Sequence, residues 1–275
     1  MRLTGRAAFV TGGSKGIGRA ISIGLARAGT MVALTGRSTG RGAGTAQETV
    51  ELIEAEGGRA IALTCDVRDC DAVRNAIDEA AERFGRLDIL VNNAGLYFPG
   101  FDVIDMDVIK WEETIQTHIN GSFYCARFAA THMIAAGGGS IINLSSTGGD
   151  PAYDSMGNVA YAVAKAGIEQ LTRGLASELS ASNIAVNAIR PMALLSEGSK
   201  DNANWLSDYR QRAGNRIVRD NISDEERMKQ FDPPSAIIPA IVYLAQRRAE
   251  FSGNVVRRTD FERSGFHSFA WKAIG

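Results

Sequence analysis

Short, nearly unbroken apolar runs alternate with longer segments of helical period along most of the chain. AAFV (7–10), MVALT (31–35), AIALT (60–64), DILVN (88–92), SIINL (140–144), IAVNAI (184–189) and NVVR (254–257) read as strands. Several lack the polar alternation of a half-exposed strand, as strands covered on both faces do. IGRAISIGLARAG (17–29) puts Ile17, Ile21, Leu25 and Ala28 on one stripe and stops at Gly29. TAQETVELIEAEGG (45–58) ends on glycine too, and DAVRNAIDEAAERFG (71–85) carries Val73, Ile77, Ala80, Ala81 and Phe84 along one face. AYAVAKAGIEQLTRGLASEL (160–179) predicts a long helix whose small residues permit close packing. This alternation predicts a doubly wound α/β fold with a parallel sheet and right-handed crossovers.

No repeat, low-complexity tract or linker interrupts residues 1–275, so a single domain is expected. The least patterned stretch is 193–234, polar, charged and bounded by prolines. It is either a solvated excursion or a substrate lid over the strand ends, and its place between the sixth and seventh strands favours the lid.

The first strand runs directly into VTGGSKGIGRA (10–20), with glycines at 12, 16 and 18. The spacing is G-x-x-x-G-x-G, which differs from both G-x-G-x-x-G and the Walker pattern. Small residues here let backbone approach a pyrophosphate, and the following helix offers free N–H groups and the positive end of its dipole. Sites for NAD usually end the second strand with an acid that bonds the ribose. Here that strand ends ALTGRS, where Gly36 precedes Arg37 and no carboxylate is present to repel a 2′-phosphate. Arg37, with Lys15 and Ser38 nearby, points to NADP.

The bulk properties narrow the classes further. With 275 residues, 45% hydrophobic and 22% charged, the chain has the composition of a soluble globular protein. A formal net charge of -1 supplies no field to recruit nucleic acid or anionic membrane. Cys65, Cys70 and Cys125 form no CxxC motif and no even set, which fits a reducing cytoplasm. His118, His132 and His267 lack zinc-ligand spacing, so no metal is expected. No apolar run reaches the length of a membrane span, and the N-terminal run is too short for a signal segment.

Within the long helix, YAVAK sets Tyr161 and Lys165 four residues apart, on one face. An ammonium about 5 Å from a phenol favours the phenolate by roughly 3 kcal/mol at an effective dielectric near 20. The pair is a tuned acid/base or a surface accident, and spacing alone leaves both open.

Six motifs in order decide in favour of chemistry: TGGSKGIG (11–18), CDV (65–67), NNAG (92–95), NLSS (143–146), YAVAK (161–165) and NAIRP (187–191). Over nearly its whole length the chain resembles the short-chain dehydrogenase/reductase family. The resemblance implies a single-domain Rossmann fold with a seven-stranded parallel sheet, a nicotinamide cofactor and a homo-oligomer, tetramer or dimer. It implies that Gly12, Ser14, Lys15, Gly16, Ile17 and Gly18 hold the cofactor. It also implies that Asp66 and Val67 meet the adenine, and that Asn93, Ala94 and Gly95 line a ribose. Tyr161 is implied as acid/base, with Lys165 holding the nicotinamide ribose and lowering the tyrosine pKa. Ser146 is implied as the hydroxyl that bonds the substrate oxygen, with Ser145 as the alternative. The gap from Ser146 to Tyr161 is about two residues longer than is usual in the family, within GGDPAYDSMGN.

Three departures qualify the resemblance. The asparagine the family places on the helix after strand four is His118 in TIQTHING, and Asn120 lies on a different face. His118 either holds the family's relay water and titrates near 6.5 or is a packed histidine. The usual Pro-Gly after strand six is Pro191-Met192, and Ser196 stands where a threonine often bonds the nicotinamide amide. Leu194, Leu195, Trp205 and Tyr209 suggest apolar substrate contact. The expected function is NADP-dependent interconversion of a carbonyl and a secondary alcohol on a small-molecule substrate. The alternatives are a non-catalytic NADP-binding sensor or scaffold and an NAD-preferring alcohol dehydrogenase.

Overall fold

A computed structural model describes residues 3–38, 42–98, 100–152, 157–192, 194 and 231–263. Seven parallel strands form one sheet: β1 (Ala7–Val10), β2 (Met31–Gly36), β3 (Ala60–Thr64), β4 (Ile89–Asn92), β5 (Gly139–Leu144), β6 (Ile184–Arg190) and β7 (Val255–Arg257). Their order across the sheet is β3-β2-β1-β4-β5-β6-β7. Chain order reverses between β1 and β4, so the loops leaving those two strands diverge and open a crevice. Each expected strand is present, with ends shifted by a residue or two, as fraying ends allow.

The apolar runs are continuous because both faces of the sheet are covered. Ala8, Val10, Ile89, Val91, Ile142 and Leu144 face α1 (Gly16–Arg27), α2 (Ala46–Ala55) and the helix at Ile238–Ala245. Their sequence neighbours Ala7, Phe9, Leu90 and Ile141 face α3 (Cys70–Phe84) and the helix at Gly121–Ala135. That period of two assigns successive residues of one strand to different cores.

Caps set the helix ends. Asp69 accepts from the Asp71 and Ala72 amides at the start of α3, and Gly85 closes it at φ 74°. The helix after β4 is not uniform: α4 (Val108–Ile115) and α5 (Gly121–Ala135) are joined by a π-helical turn, Gln116–Asn120. Further on come α6 (Val159–Leu179), α7 (Ile238–Ala245) and α8 (Arg258–Arg263). No helix among the described residues is long and apolar enough to cross a membrane. Most of the expected lid, 193–234, lies outside the described residues, as do Ser196, Leu195, Trp205 and Tyr209.

Candidate active site

The crevice is stitched at its base by Thr11, the residue after β1. Its Oγ1 accepts from the Asn93 and Ala94 amides, both at 2.9 Å. Asn93 Nδ2 returns the contact, donating to the Thr11 and Gly12 carbonyls at 2.8 and 3.1 Å. The polar NNAG turn therefore binds the glycine loop to β4. Within that loop Gly12 and Gly16 have φ of 64° and 55°, left-handed values that disfavour a side chain. A methyl on Gly18 would stand 2.1 Å from the Gly12 carbonyl oxygen, so only hydrogen fits there. Arg19 holds the crest of the loop, donating to the Ser14 carbonyl through Nε and Nη2 at 3.0 and 2.8 Å. Lys15 precedes α1 in extended backbone, without a side-chain cap, and no acid occupies the first turn. The N-terminus of α1 thus presents amides and dipole with no internal anion to satisfy them.

This loop floors a cleft of about 570 Å³. Gly12, Ser14, Lys15, Gly16, Ile17 and Gly18 line it from β1. Arg37 enters it after β2, Asp66 and Val67 after β3, and Asn93, Ala94 and Gly95 after β4. His118, Tyr161, Lys165 and Pro191 complete the residues expected there. Ser38 and Ser146 do not line it, whereas Ser145 does. The side chain of Asp66 has a task of its own: it takes Arg68 Nε and Nη2 at 3.0 and 2.7 Å, and Arg68 also reaches Glu113 at 2.8 Å. Arg68, with Arg37 nearby, holds the Asp66 carboxyl below the usual range. A methyl-free cradle, an uncapped helix start and the cations Lys15 and Arg37 together fit a dinucleotide carrying phosphate.

Tyr161 and Lys165 lie one turn apart near the start of α6. Lys165 Nζ stands 5.3 Å from the centre of the Tyr161 ring and donates to the Leu144 carbonyl at 2.7 Å. Its side chain is buried, and burial pulls its pKa down to about 7. Its ammonium is therefore fully present on the acid side of neutrality and declines above it. The Tyr161 ring is held edge-to-face by Tyr97 at 4.8 Å and His118 at 5.6 Å.

The two serines are differently committed. Ser145 Oγ donates to buried Glu169 at 2.7 Å. Ser146 Oγ accepts from the Gly148 amide at 3.2 Å. A methyl placed on Gly148 would touch the Tyr161 ring at 3.3 Å and lie 3.8 Å from Ser146 Oγ, so Gly148 stands between the two side chains.

His118 sits in the π turn, where an extra residue per turn breaks the α register. Its Nε2 lies 2.8 Å from the Leu96 carbonyl and 3.2 Å from the Leu96 amide. Gly95 is needed beneath it, since a methyl there would meet the ring at 2.6 Å. Of the two expectations for His118, the packed histidine is the one this burial fits: burial, reinforced by Lys165, pulls the pKa down to about 3. With the folded pKa below the unfolded one, the unfolded chain binds the extra proton between those values. Stability from this group is present above about 6.5 and lost as pH falls toward about 3. His118→Asn is therefore expected to flatten the fall in melting temperature between pH 6.5 and 4, and to leave no altered inflection near 6.5 in a pH–rate profile. Thermal melts and rates across that range check both; a lost inflection near 6.5 contradicts the burial argument.

Sequence reading missed a buried ionic chain behind α6. Arg190 gives Nε and Nη2 to the Glu169 carboxylate at 2.7 and 2.8 Å and pairs with Asp150 as well. Arg257 reaches Asp150 at 3.4 Å. The available signals were an arginine closing the apolar run of β6 and an acid one turn beyond Lys165. Thr117, Leu96 and Tyr97 also line the cleft without having been singled out.

Comparison with known proteins agrees with this geometry. The short chain dehydrogenase family matches residues 6–207. The chain is 33% identical over 251 residues to the 3-oxoacyl-[acyl-carrier-protein] reductase FabG of Staphylococcus aureus, covering 91% of this chain and 94% of that protein. A 7α-hydroxysteroid dehydrogenase solved with NADH and 7-oxo glycochenodeoxycholic acid superposes with a TM-score of 0.78, at 27% identity and 93% of each chain. A Beutenbergia cavernae protein described as a candidate NAD(P)-dependent gluconate 5-dehydrogenase, with NADP at low occupancy, gives 0.76 at 27% identity, covering 96% of this chain and 99% of its own. With its six motifs gathered at one edge of a seven-stranded parallel sheet, the chain belongs to the short-chain dehydrogenase/reductase family of oxidoreductases.

Proposed function

We propose that the protein is an NADP-dependent oxidoreductase that interconverts a carbonyl and a secondary alcohol on a small molecule, with Tyr161 as acid/base. The observation that carries this reading is the placement of Tyr161 and Lys165 in the cleft that the glycine loop and Arg37 enter. When bound, the reduced nicotinamide supplies a hydride to the carbonyl carbon. Tyr161 gives its phenolic proton to the oxygen as that oxygen gains negative charge, and the phenolate regains a proton from solvent. In the oxidative direction Tyr161 takes the hydroxyl proton instead. Lys165, anchored on the Leu144 carbonyl, opposes the charge left on the phenolate. Ser146 is the hydroxyl assigned to hold the substrate oxygen, because Ser145 already serves Glu169. His118, neutral and edge-on to Tyr161, keeps the ring in place.

Preference for NADP rests on this chain's own residues, since similar structures hold either cofactor. No acid ends β2, and Asp66, a carboxylate within electrostatic reach of Arg37, is already paired with Arg68. Arg37→Asp is expected to weaken NADPH binding about 10- to 100-fold, the worth of charge-assisted bonds to phosphate, and to spare NADH. Titration of both cofactors checks this, and unchanged NADPH affinity removes the phosphate role. Homo-oligomerisation belongs to the same reading: Val108 and Ile109 on α4 are 67% and 65% exposed, and Val163 is exposed on α6, which packs against α4. The deciding experiment is incubation with NADPH and a panel of ketones, following absorbance. Consumption supports the enzyme; binding without consumption across the panel supports a sensor.

A further inference from the structure

Where β6 ends, Pro191 forms part of the cleft wall, and the residue after it has unusual backbone. Met192 has φ 61°, in the left-handed region that glycine enters without strain and a long side chain does not. Such a conformation persists only where surrounding contacts over-determine it.

Arg258 supplies those contacts. β6 and β7 pair with Arg190 opposite Arg257, which brings Arg258 level with Pro191. Arg258 is only 4% exposed. Its Nε donates to the Pro191 carbonyl at 3.1 Å, and its Nη2 pairs with the Asp232 carboxylate. Asp232 is in turn bridged to Leu194 by a parallel β contact. A single guanidinium thus grips the chain just before Met192, while the residue two positions after Met192 is bridged through its backbone to Asp232, whose carboxylate the same guanidinium holds. The planar fork reaches the Pro191 carbonyl and the Asp232 carboxylate in fixed directions, which a lysine ammonium does not. Arg258 itself does not line the cleft, so it acts through Pro191.

We infer that Arg258 is a positioning residue for the nicotinamide-side wall, holding Met192 in a glycine-like conformation through the Pro191 carbonyl and Asp232. This rests on the dinucleotide reading above. Without the clamp Met192 relaxes toward negative φ, the Pro191 carbonyl turns, and the wall no longer matches the cofactor.

The test crosses Arg258→Met with Met192→Gly and reads two quantities: NADPH affinity by calorimetry, and amide exchange in the peptide spanning residues 191–194. In the native background Arg258→Met is expected to weaken NADPH binding about 10-fold and to speed exchange. In the Met192→Gly background the same change is expected to cost less than about 3-fold, because glycine needs no clamp. A merely structural arginine would cost the same in both backgrounds, and that result overturns the inference, as does unchanged exchange in Arg258→Met. Arg258→Lys keeps the charge and loses the fork; it is expected to show the same ordering at smaller size, so misfolding of the Met variant leaves the test standing. Exchange does not depend on ligand. If the native protein fails to bind NADPH, the cofactor reading falls while the clamp is still judged by exchange.

Discussion

Tyr161→Phe is expected to lower kcat by about 10²- to 10⁴-fold, the usual worth of a positioned acid/base, with NADPH affinity held within about 2-fold. The substitution removes one oxygen and keeps the ring. The edge-to-face contacts with Tyr97 and His118 remain, and so does the anchor of Lys165 on Leu144. What is lost is the proton that an oxygen gaining charge requires. Turnover measured by NADPH absorbance, beside calorimetric binding, separates these effects. Retained turnover removes Tyr161 from the chemistry; lost binding assigns it to the fold of the cleft instead.

Arg190→Met is expected to destabilise the protein by about 3–5 kcal/mol, because it strands the Glu169 carboxylate in the interior. Glu169 is 3% exposed, and Arg190 provides two of its short contacts. Its other hydrogen-bond partner among the described residues is the Ser145 hydroxyl, which cannot neutralise a charge. A loss of that size lowers the melting temperature by roughly 10 °C in a chain of this length. Replacing both partners by Arg190→Met with Glu169→Leu is expected to recover most of the loss, since no orphaned charge is left. Urea and thermal unfolding of the three variants check this. A cost below about 1 kcal/mol for the single variant means that water reaches Glu169. The network also matters for geometry: Ser145 is its last member, and the chain runs on from it through Ser146 to Gly148, which lies against the Tyr161 ring.

How far the sequence could be read depends on the range of the interaction involved. Strands covered on both faces leave continuous apolar runs, so all seven were legible to within a residue or two. The glycine loop was legible because glycines at 12, 16 and 18 directly after a strand mark left-handed backbone and close approach, both local properties. The missing acid after β2 is likewise local. Partners distant in sequence leave no periodic mark, so the ties of Arg190 to Glu169 and Asp150, and of Arg258 to Pro191, appear only with coordinates. His118 was found as a departure, but whether it titrates depends on burial, which a single polar letter does not encode. The π turn around it escaped for a related reason: the pattern of TIQTHING suits any helix, and hydrogen-bond register is not a property of composition.

That turn makes the helix after β4 sensitive to length in a way its neighbours are not. A π turn stores one surplus residue. Deleting a single position between 116 and 120 would let the segment close into ordinary α-helix with α4 and α5 still in register, whereas the same deletion in a regular helix turns one half by about 100° against the other. Elsewhere in a helix such a deletion scrambles the packing; here the backbone would accept it, and the imidazole would leave its place beneath the phenol. The site's architecture is therefore kept by a spare residue, and one lost codon could retune it without unfolding the chain.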